Sequence, residues 1–281
     1  MEVRFHSSVA DFRSAATQVY QRDPVRATVE LMVLCSSLIE RNPAPLLITV
    51  WSGGEVVGAA FRTLNSPLMC TGLARSAVTR VVAEIAVTGS RLNAVSGPVD
   101  VASRVAAEWC SVTGVFSSVG SRDRLYRLET LVPPQNVPGV ARLAESTDAD
   151  LVSNWLNRFR AEALGKPVDV TLDPRHVRTA KEPPDEFLLW TVDGDPVSLA
   201  GVRLPVLGVS RVGPVYTPTG WRGLGYGSAT TATAAGWALE RNAEDVVLFT
   251  DPDNPASNAA YRRIGFAPVD DFTRINFTEP A

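Results

Sequence analysis

Lysine is nearly missing from this chain: Lys166 and Lys181 are the only two in 281 residues, so the 27 basic side chains are almost all arginines, set against 30 acidic ones. A net charge of −3 leaves no basic stripe of the kind that grips nucleic acid, and nucleic acid is not expected as a partner. Cysteine is equally scarce. Cys35, Cys70 and Cys110 are odd in number, lie in the first half and show no CxxC spacing, which excludes a disulfide framework and a zinc site. The two histidines, His6 and His176, lie in different halves without ligand-spaced partners, so no metal site and no His-based triad are expected. No apolar run approaches the roughly 18 residues of a membrane span. Glu2 and Arg4 interrupt the start where a signal peptide would become apolar, so the expectation is a cytoplasmic chain without a membrane partner. What remains is 45% hydrophobic and 20% charged, the balance of a packed globular protein, and its length suits two domains.

Laid over itself at an offset of 141 residues, the chain pairs Leu46–Arg62 with Phe187–Arg203, sharing Leu47/Leu188, Gly53/Gly194, Val56/Val197, Ala59/Ala200 and Arg62/Arg203. Each segment reads as an apolar run, a polar turn with glycine and a second apolar run, the pattern of an antiparallel hairpin. The offset is half the chain length. Between the halves, Pro133, Pro134, Pro138 and Gly139 form the densest cluster of helix and strand breakers, which predicts an extended linker between a domain at 1–135 and another at 139–281.

The second half predicts a short strand at Val140–Arg142 and an amphipathic helix from about Asp148 to Ala163 with Leu151, Trp155, Leu156 and Phe159 on one face. The hairpin follows, then a strand at Val209–Thr217, a glycine-rich turn and a helix to about Arg241. A buried-type strand at Val246–Phe249, a short helix and a last strand near Thr273–Phe277 complete it. Hairpins followed by a strand–helix–strand unit imply an α/β fold with a mixed sheet.

The turn reads Val215-Tyr216-Thr217-Pro218-Thr219-Gly220-Trp221-Arg222-Gly223-Leu224-Gly225-Tyr226-Gly227-Ser228 and leads from strand into helix. Residues without a β-carbon let successive N–H groups approach an anion, and the helix start adds unpaired donors and partial positive charge, so phosphate or pyrophosphate is the natural ligand. A P-loop is excluded, because Ser228 and Ala229 follow the last glycine where Lys and Ser/Thr are needed. A dinucleotide fingerprint needs GxGxxG, whereas Gly223, Gly225 and Gly227 give GxGxG; a nucleotide-dependent oxidoreductase is the weaker alternative.

Arg222, Gly225 and Gly227 meet the pattern Arg-x-x-Gly-x-Gly, and downstream DPDNPASNAAYRRIGF sets Asn254 seven residues before Tyr261, followed by Gly265-Phe266. With these two motifs in this order, residues 140–277 resemble the Gcn5-related N-acetyltransferase (GNAT) superfamily, and more narrowly a bacterial tandem-domain subgroup in which VYTP precedes the turn. The first half keeps the hairpin and a closing RLYRLETL strand, but its TGLARSAVTR has no paired glycines, so it looks like a degenerate copy that is not expected to bind the cofactor. The resemblance implies an acyl-CoA N-acyltransferase fold in two related halves, the second catalytic, with acetyl-CoA as cosubstrate and no metal.

It further implies the site residues. The N–H groups of Gly223, Leu224, Gly225, Tyr226, Gly227 and Ser228, with Arg222, would hold the pyrophosphate. Because Gly213-Pro214 removes a strand donor, the strand should splay and leave Val215, Tyr216 and Thr217 to pair with the pantetheine arm and the thioester oxygen. Asn254, capping a helix that opens with Pro255, would join Ser257 and Asn258 near the pantetheine amides. Tyr261 would be the general acid for the leaving thiolate, a role that a phenol near pKa 10 suits. No general base is legible among Glu182, Glu186, Asp251 and Asp253. The acceptor is expected to be an amine on a small molecule or a peptide. The alternative from another class is a non-catalytic acyl-CoA-binding sensor.

Overall fold

The computed structural model of the protein describes residues 1–36, 39, 45–63, 66–164 and 186–280. The chain forms two compact units, one of Met1–Leu125 with Val269–Ala281 and one of Tyr126–Pro268. Residues 129–139, with their prolines, lie in the second unit and form neither helix nor strand.

In the first unit, β1 (Glu2–Phe5) precedes α1 (Val9–Tyr20) and α2 (Thr28–Cys35), and the hairpin β2 (Leu46–Ser52) and β3 (Glu55–Arg62) leads to the short β4 (Leu68–Met69). α3 (Val78–Val87), β5 (Ala94–Pro98), α4 (Val99–Thr113) and β6 (Phe116–Leu128) complete it. Local chemistry sets the ends: Ser8 caps α1 by accepting the Asp11 N–H, and α4 stops at Gly114, whose φ of +76° suits a residue without a side chain. β4 and β5 run parallel, and the C-terminal residues 272–276 pair antiparallel with 94–98. Val50, Leu68, Val81, Ile85, Val95 and Val105 form the centre of the core, all essentially without exposure.

The second unit repeats the order. β7 (Val140–Leu143) and α5 (Ala149–Leu164) precede the hairpin β8 (Glu186–Val192) and β9 (Asp195–Val202), then β10 (Val209–Tyr216), α6 (Tyr226–Leu239), β11 (Asp245–Thr250), α7 (Pro255–Arg263) and the start of β12 (Phe266–Thr278), which from Val269 onward belongs to the first unit. Its sheet runs β11-β10-β9-β8-β7, antiparallel except for the parallel pair β10/β11. These elements match the predicted ones, except that the last strand is longer and begins directly after Gly265. Asp148 sits in a 3-10 turn just before α5, where it accepts the Glu145 N–H at 2.8 Å and both Arg142 nitrogens at 2.6 and 2.8 Å. That guanidinium holds the Asp148 carboxyl below the usual carboxylate range.

The two hairpins correct the sequence alignment by one residue. Ser52 faces Glu55 across Gly53-Gly54, and Val192 faces Asp195 across Asp193-Gly194, so the turns coincide at an offset of 140 rather than 141. All four turn residues have positive φ, from +51° to +90°, the type I′ geometry that twists with the strands. The register irregularities, at Val50/Trp51 and Trp190/Thr191, also fall at 140. A one-residue slip exchanges the two faces of a strand, so identity counting aligned residues that point to opposite sides. No helix among the described residues is long and apolar enough to cross a membrane.

Candidate functional site

β10 and β11 are adjacent and parallel, so the loops leaving their carboxyl ends open at one edge of the second sheet, the usual place for a ligand in α/β structures. Their pairing covers Val209–Arg211 against Asp245–Val247 and ends there, although β10 continues to Tyr216 and β11 to Thr250. The cause is local. Pro214 has no N–H, Gly213 has φ +135°, and the β9 ladder shifts register between Val212 and Val215, resuming at Val215↔Ala200 and Tyr216↔Leu199. On the side facing β11, residues 212–216 have no strand partner among the described residues. The splay expected from Gly213-Pro214 is therefore present.

The chain then passes through a 3-10 turn at Thr219–Trp221 to α6. Gly223 and Gly225 stand at φ +81° and +86°, where a β-carbon is strained, and Gly225 occupies the N-cap position with no side-chain cap. Ala229 N–H returns to Gly225 O at 3.0 Å, so the N–H groups before it form the open start of a fourteen-residue helix. A β-carbon on Gly213, Gly220 or Gly223 would meet nothing within 4 Å, so the surface above the loop is clear. One on Gly225 would meet Val137 at 3.1 Å, and one on Gly227 would meet Thr217 Oγ1 at 3.1 Å.

Arg222 faces inward to the loop's own support. Its Nε donates to Thr217 O at 2.9 Å, its Nη2 donates to Glu162, and its guanidinium lies 5.9 Å from the Tyr216 ring. Glu162, on α5, also accepts the Tyr216 hydroxyl at 2.9 Å, and the arginine lowers the Glu162 pKa. Tyr216 is buried against Trp155 and Leu156, so α5, β10 and the loop are fastened at one point. Sequence reasoning missed Glu162: its one sequence signal is its place on the polar side of α5, shared by many surface acids. Thr217 Oγ1 bonds to Ser198 Oγ at 2.9 Å. Tyr226 is buried, Ser228 is half-buried and Leu224 is exposed.

On the β11 side, Asn254 caps α7 by accepting the Ser257 N–H at 3.1 Å, with Pro255 as the first helical residue. Asn258 is buried and fully engaged: its amide nitrogen donates to Asp251 O, Pro252 O and Asn254 O at 2.9, 3.3 and 2.6 Å, while its oxygen accepts the Tyr126 hydroxyl at 2.7 Å. The side chain holds the 251–254 loop rather than presenting free groups. Asn258→Ala is expected to lower unfolding free energy by about 2–4 kcal/mol, read from urea denaturation, because the Tyr126 hydroxyl and Pro252 O lose this partner together, while Asp251 O and Asn254 O keep backbone N–H donors.

Tyr261, one turn further along α7, packs against Tyr126 and Phe266 with ring centroids at 6.5 and 6.4 Å. Its hydroxyl makes no hydrogen bond among the described residues, and desolvation pushes its pKa up to about 12. Tyr261 and Val215 both border the core around Val212, Leu248 and Phe266. Asp251 is spent on its own turn, accepting the Asp253 N–H at 2.8 Å. Glu182 and His176 lie outside the described residues. Among those described, no group of three or more His, Cys, Asp or Glu could hold a metal. A groove of about 340 Å³ runs beside α6, Trp190 and Pro133–Pro134, apart from the loop.

Comparison with known proteins agrees with this geometry. Residues 150–266 match the acetyltransferase (GNAT) family, a family of acyl transfer, and the match spans both loops. No curated protein matches the chain. A GCN5-related N-acetyltransferase from Sphaerobacter thermophilus is similar in structure, with TM-score 0.63 and 19% identity over 100% of this chain and 96% of that one. One from Kribbella flavida gives 0.58 and 19% over 93% and 95%. A tandem GNAT protein from the clavulanic acid biosynthesis pathway gives 0.60 and 17% over the full length of both. At these identities the likeness establishes the fold.

Proposed function

We propose, from a second half whose residues 150–266 belong to the acetyltransferase (GNAT) family, that this protein transfers an acetyl group from acetyl-CoA to a primary amine. One observation carries the reading: β10 leaves β11 after Arg211 directly beside an uncapped helix start. The free strand edge at Val215–Thr217 offers backbone groups to an extended amide chain and to the thioester oxygen, and the N–H groups of residues 223–228 suit a pyrophosphate. Attack by the neutral amine on the thioester carbon forms the C–N bond and breaks the C–S bond. Tyr261 donates its phenolic proton to the departing thiolate, and the proton lost by the amine returns through solvent to the Tyr261 phenolate. Asn254 and Ser257 edge the same cleft, while Asn258 and Arg222 hold its walls.

The halves 1–135 and 139–281 are proposed as two copies of one domain, supported by the common order of elements and the coincident hairpins. In the first copy, α3 starts at an Ala77 cap after a 3-10 turn without glycine, so it offers no comparable loop. A cytoplasmic setting suits the three unpaired cysteines. Calorimetric titration with acetyl-CoA, run beside NADH, tests the reading. Micromolar binding of acetyl-CoA and turnover on an amine panel are expected. No binding would discard it, and binding without turnover on any amine would leave a sensor.

Glu162→Ala is expected to lower stability by no more than about 1–2 kcal/mol, since the exposed ion pair contributes about 0–1 kcal/mol and the Tyr216 hydroxyl loses one acceptor. It should weaken acetyl-CoA binding by about three- to tenfold, because the loop loses its tie to α5 and must be ordered on binding. Tighter binding would instead mean that Glu162 only diverts Arg222 from phosphate.

A further inference from the structure

The first unit contains a cavity of about 220 Å³ at the carboxyl ends of the parallel strands β4 and β5, lined by Tyr20 and Arg22 from the end of α1, by Arg26, and by Thr71 and Gly72 after β4. Two hydroxyls there are buried without a partner among the described residues: Tyr20 is 1% exposed and its OH makes no hydrogen bond to any of them, and the Thr71 Oγ1 is likewise buried and unpaired. Buried polar groups are as a rule satisfied, and two unsatisfied ones in one cavity point to a ligand that supplies their partners. The cavity floor is closely fitted: a β-carbon on Gly72 would lie 2.7 Å from both Ala59 O and the Tyr20 ring.

The charges at the mouth select the ligand's sign. Arg26 is spent on Asp270 and faces Asp23. Among the described residues the Arg22 guanidinium has only a neutral acceptor, Val56 O at 2.8 Å, and no carboxylate. Glu30 and Cys70 lie near Tyr20, and burial with these neighbours raises the phenol pKa, so it stays protonated and able to donate. Two O–H donors and one unmatched guanidinium complement a carboxylate, which accepts at both oxygens and carries the opposite charge. The short turn at Arg75–Ala77 provides no glycine cradle for a pyrophosphate, so the ligand is small.

We propose that the cavity of the first unit binds a small carboxylate through Tyr20, Thr71 and Arg22, independently of the site in the second unit. The test titrates the full-length protein with acetate, malonate and succinate in carboxylate-free buffer, beside the variants Arg22→Gln, Thr71→Val, Tyr20→Phe and Gly225→Glu. One carboxylate is expected to bind with a stoichiometry of one. Binding should persist in Gly225→Glu and weaken by about tenfold in Arg22→Gln, an exposed position whose replacement leaves the fold intact. Tyr20→Phe should bind more weakly yet melt no lower than the parent, because the lost hydroxyl has no partner to strand. The proposal is overturned if no carboxylate binds, if binding disappears in Gly225→Glu alone, or if Arg22→Gln binds as the parent does. It is equally overturned if Tyr20→Phe melts lower with no carboxylate bound, which would assign the cavity to ordered water only.

Discussion

Gly225→Glu is expected to remove acetyl-CoA binding, by a factor of about one hundred or more, with the protein still folded. Three effects coincide at this residue. Its φ of +86° strains any side chain by about 1–2 kcal/mol. Its β-carbon would press on Val137 at 3.1 Å, moving the loop from its seat. The added carboxylate would stand at the helix start, where it satisfies the open N–H groups itself and repels a phosphate. Gly223→Ala separates these effects. At φ +81° with nothing within 4 Å, only the backbone strain applies, and affinity should fall by about five- to thirtyfold. Calorimetry on both variants, with circular dichroism for the fold, decides: equal affinities for parent and Gly225→Glu would remove the loop from the cofactor site.

The second unit was legible in its sequence because its signals are local. An Asp-Gly turn between apolar runs, an Asn-Pro helix start and a glycine-rich strand–helix junction each depend on a few adjacent residues, and each formed where expected. The interactions that organise the site depend on residues far apart. Glu162 meets Arg222 across 60 positions, and Tyr126 meets Asn258 across 132, so no pattern within either segment announces the pair. Asn258 shows the consequence: its sequence position suggests a ligand contact, whereas its amide is consumed by the 251–254 loop and Tyr126. The hairpin offset shows a second limit. Identities favoured 141, but strand facing is fixed by turn geometry and bulge position, which place the copies at 140.

Tyr261→Phe is expected to reduce kcat by about 10²–10³-fold while leaving acetyl-CoA affinity within about twofold, the split of a group that acts only as the thiolate departs. The geometry predicts this separation. The Tyr261 ring is held by Tyr126 and Phe266, contacts that phenylalanine keeps, and the hydroxyl has no hydrogen bond whose loss would disturb the fold. The pH profile gives an independent check. Because desolvation raises the phenol to about 12, the acid form persists through the range in which an amine acceptor loses its proton. The parent's rate should therefore rise with pH as the amine becomes neutral and show no alkaline decline at pH 10, the ordinary value for a phenol. In Tyr261→Phe the rising limb should remain, since it belongs to the acceptor, on a curve lowered throughout. An unchanged kcat in the variant, or a parental decline centred near pH 10, would take the proton transfer away from Tyr261 and assign it to a water held at the splayed strand.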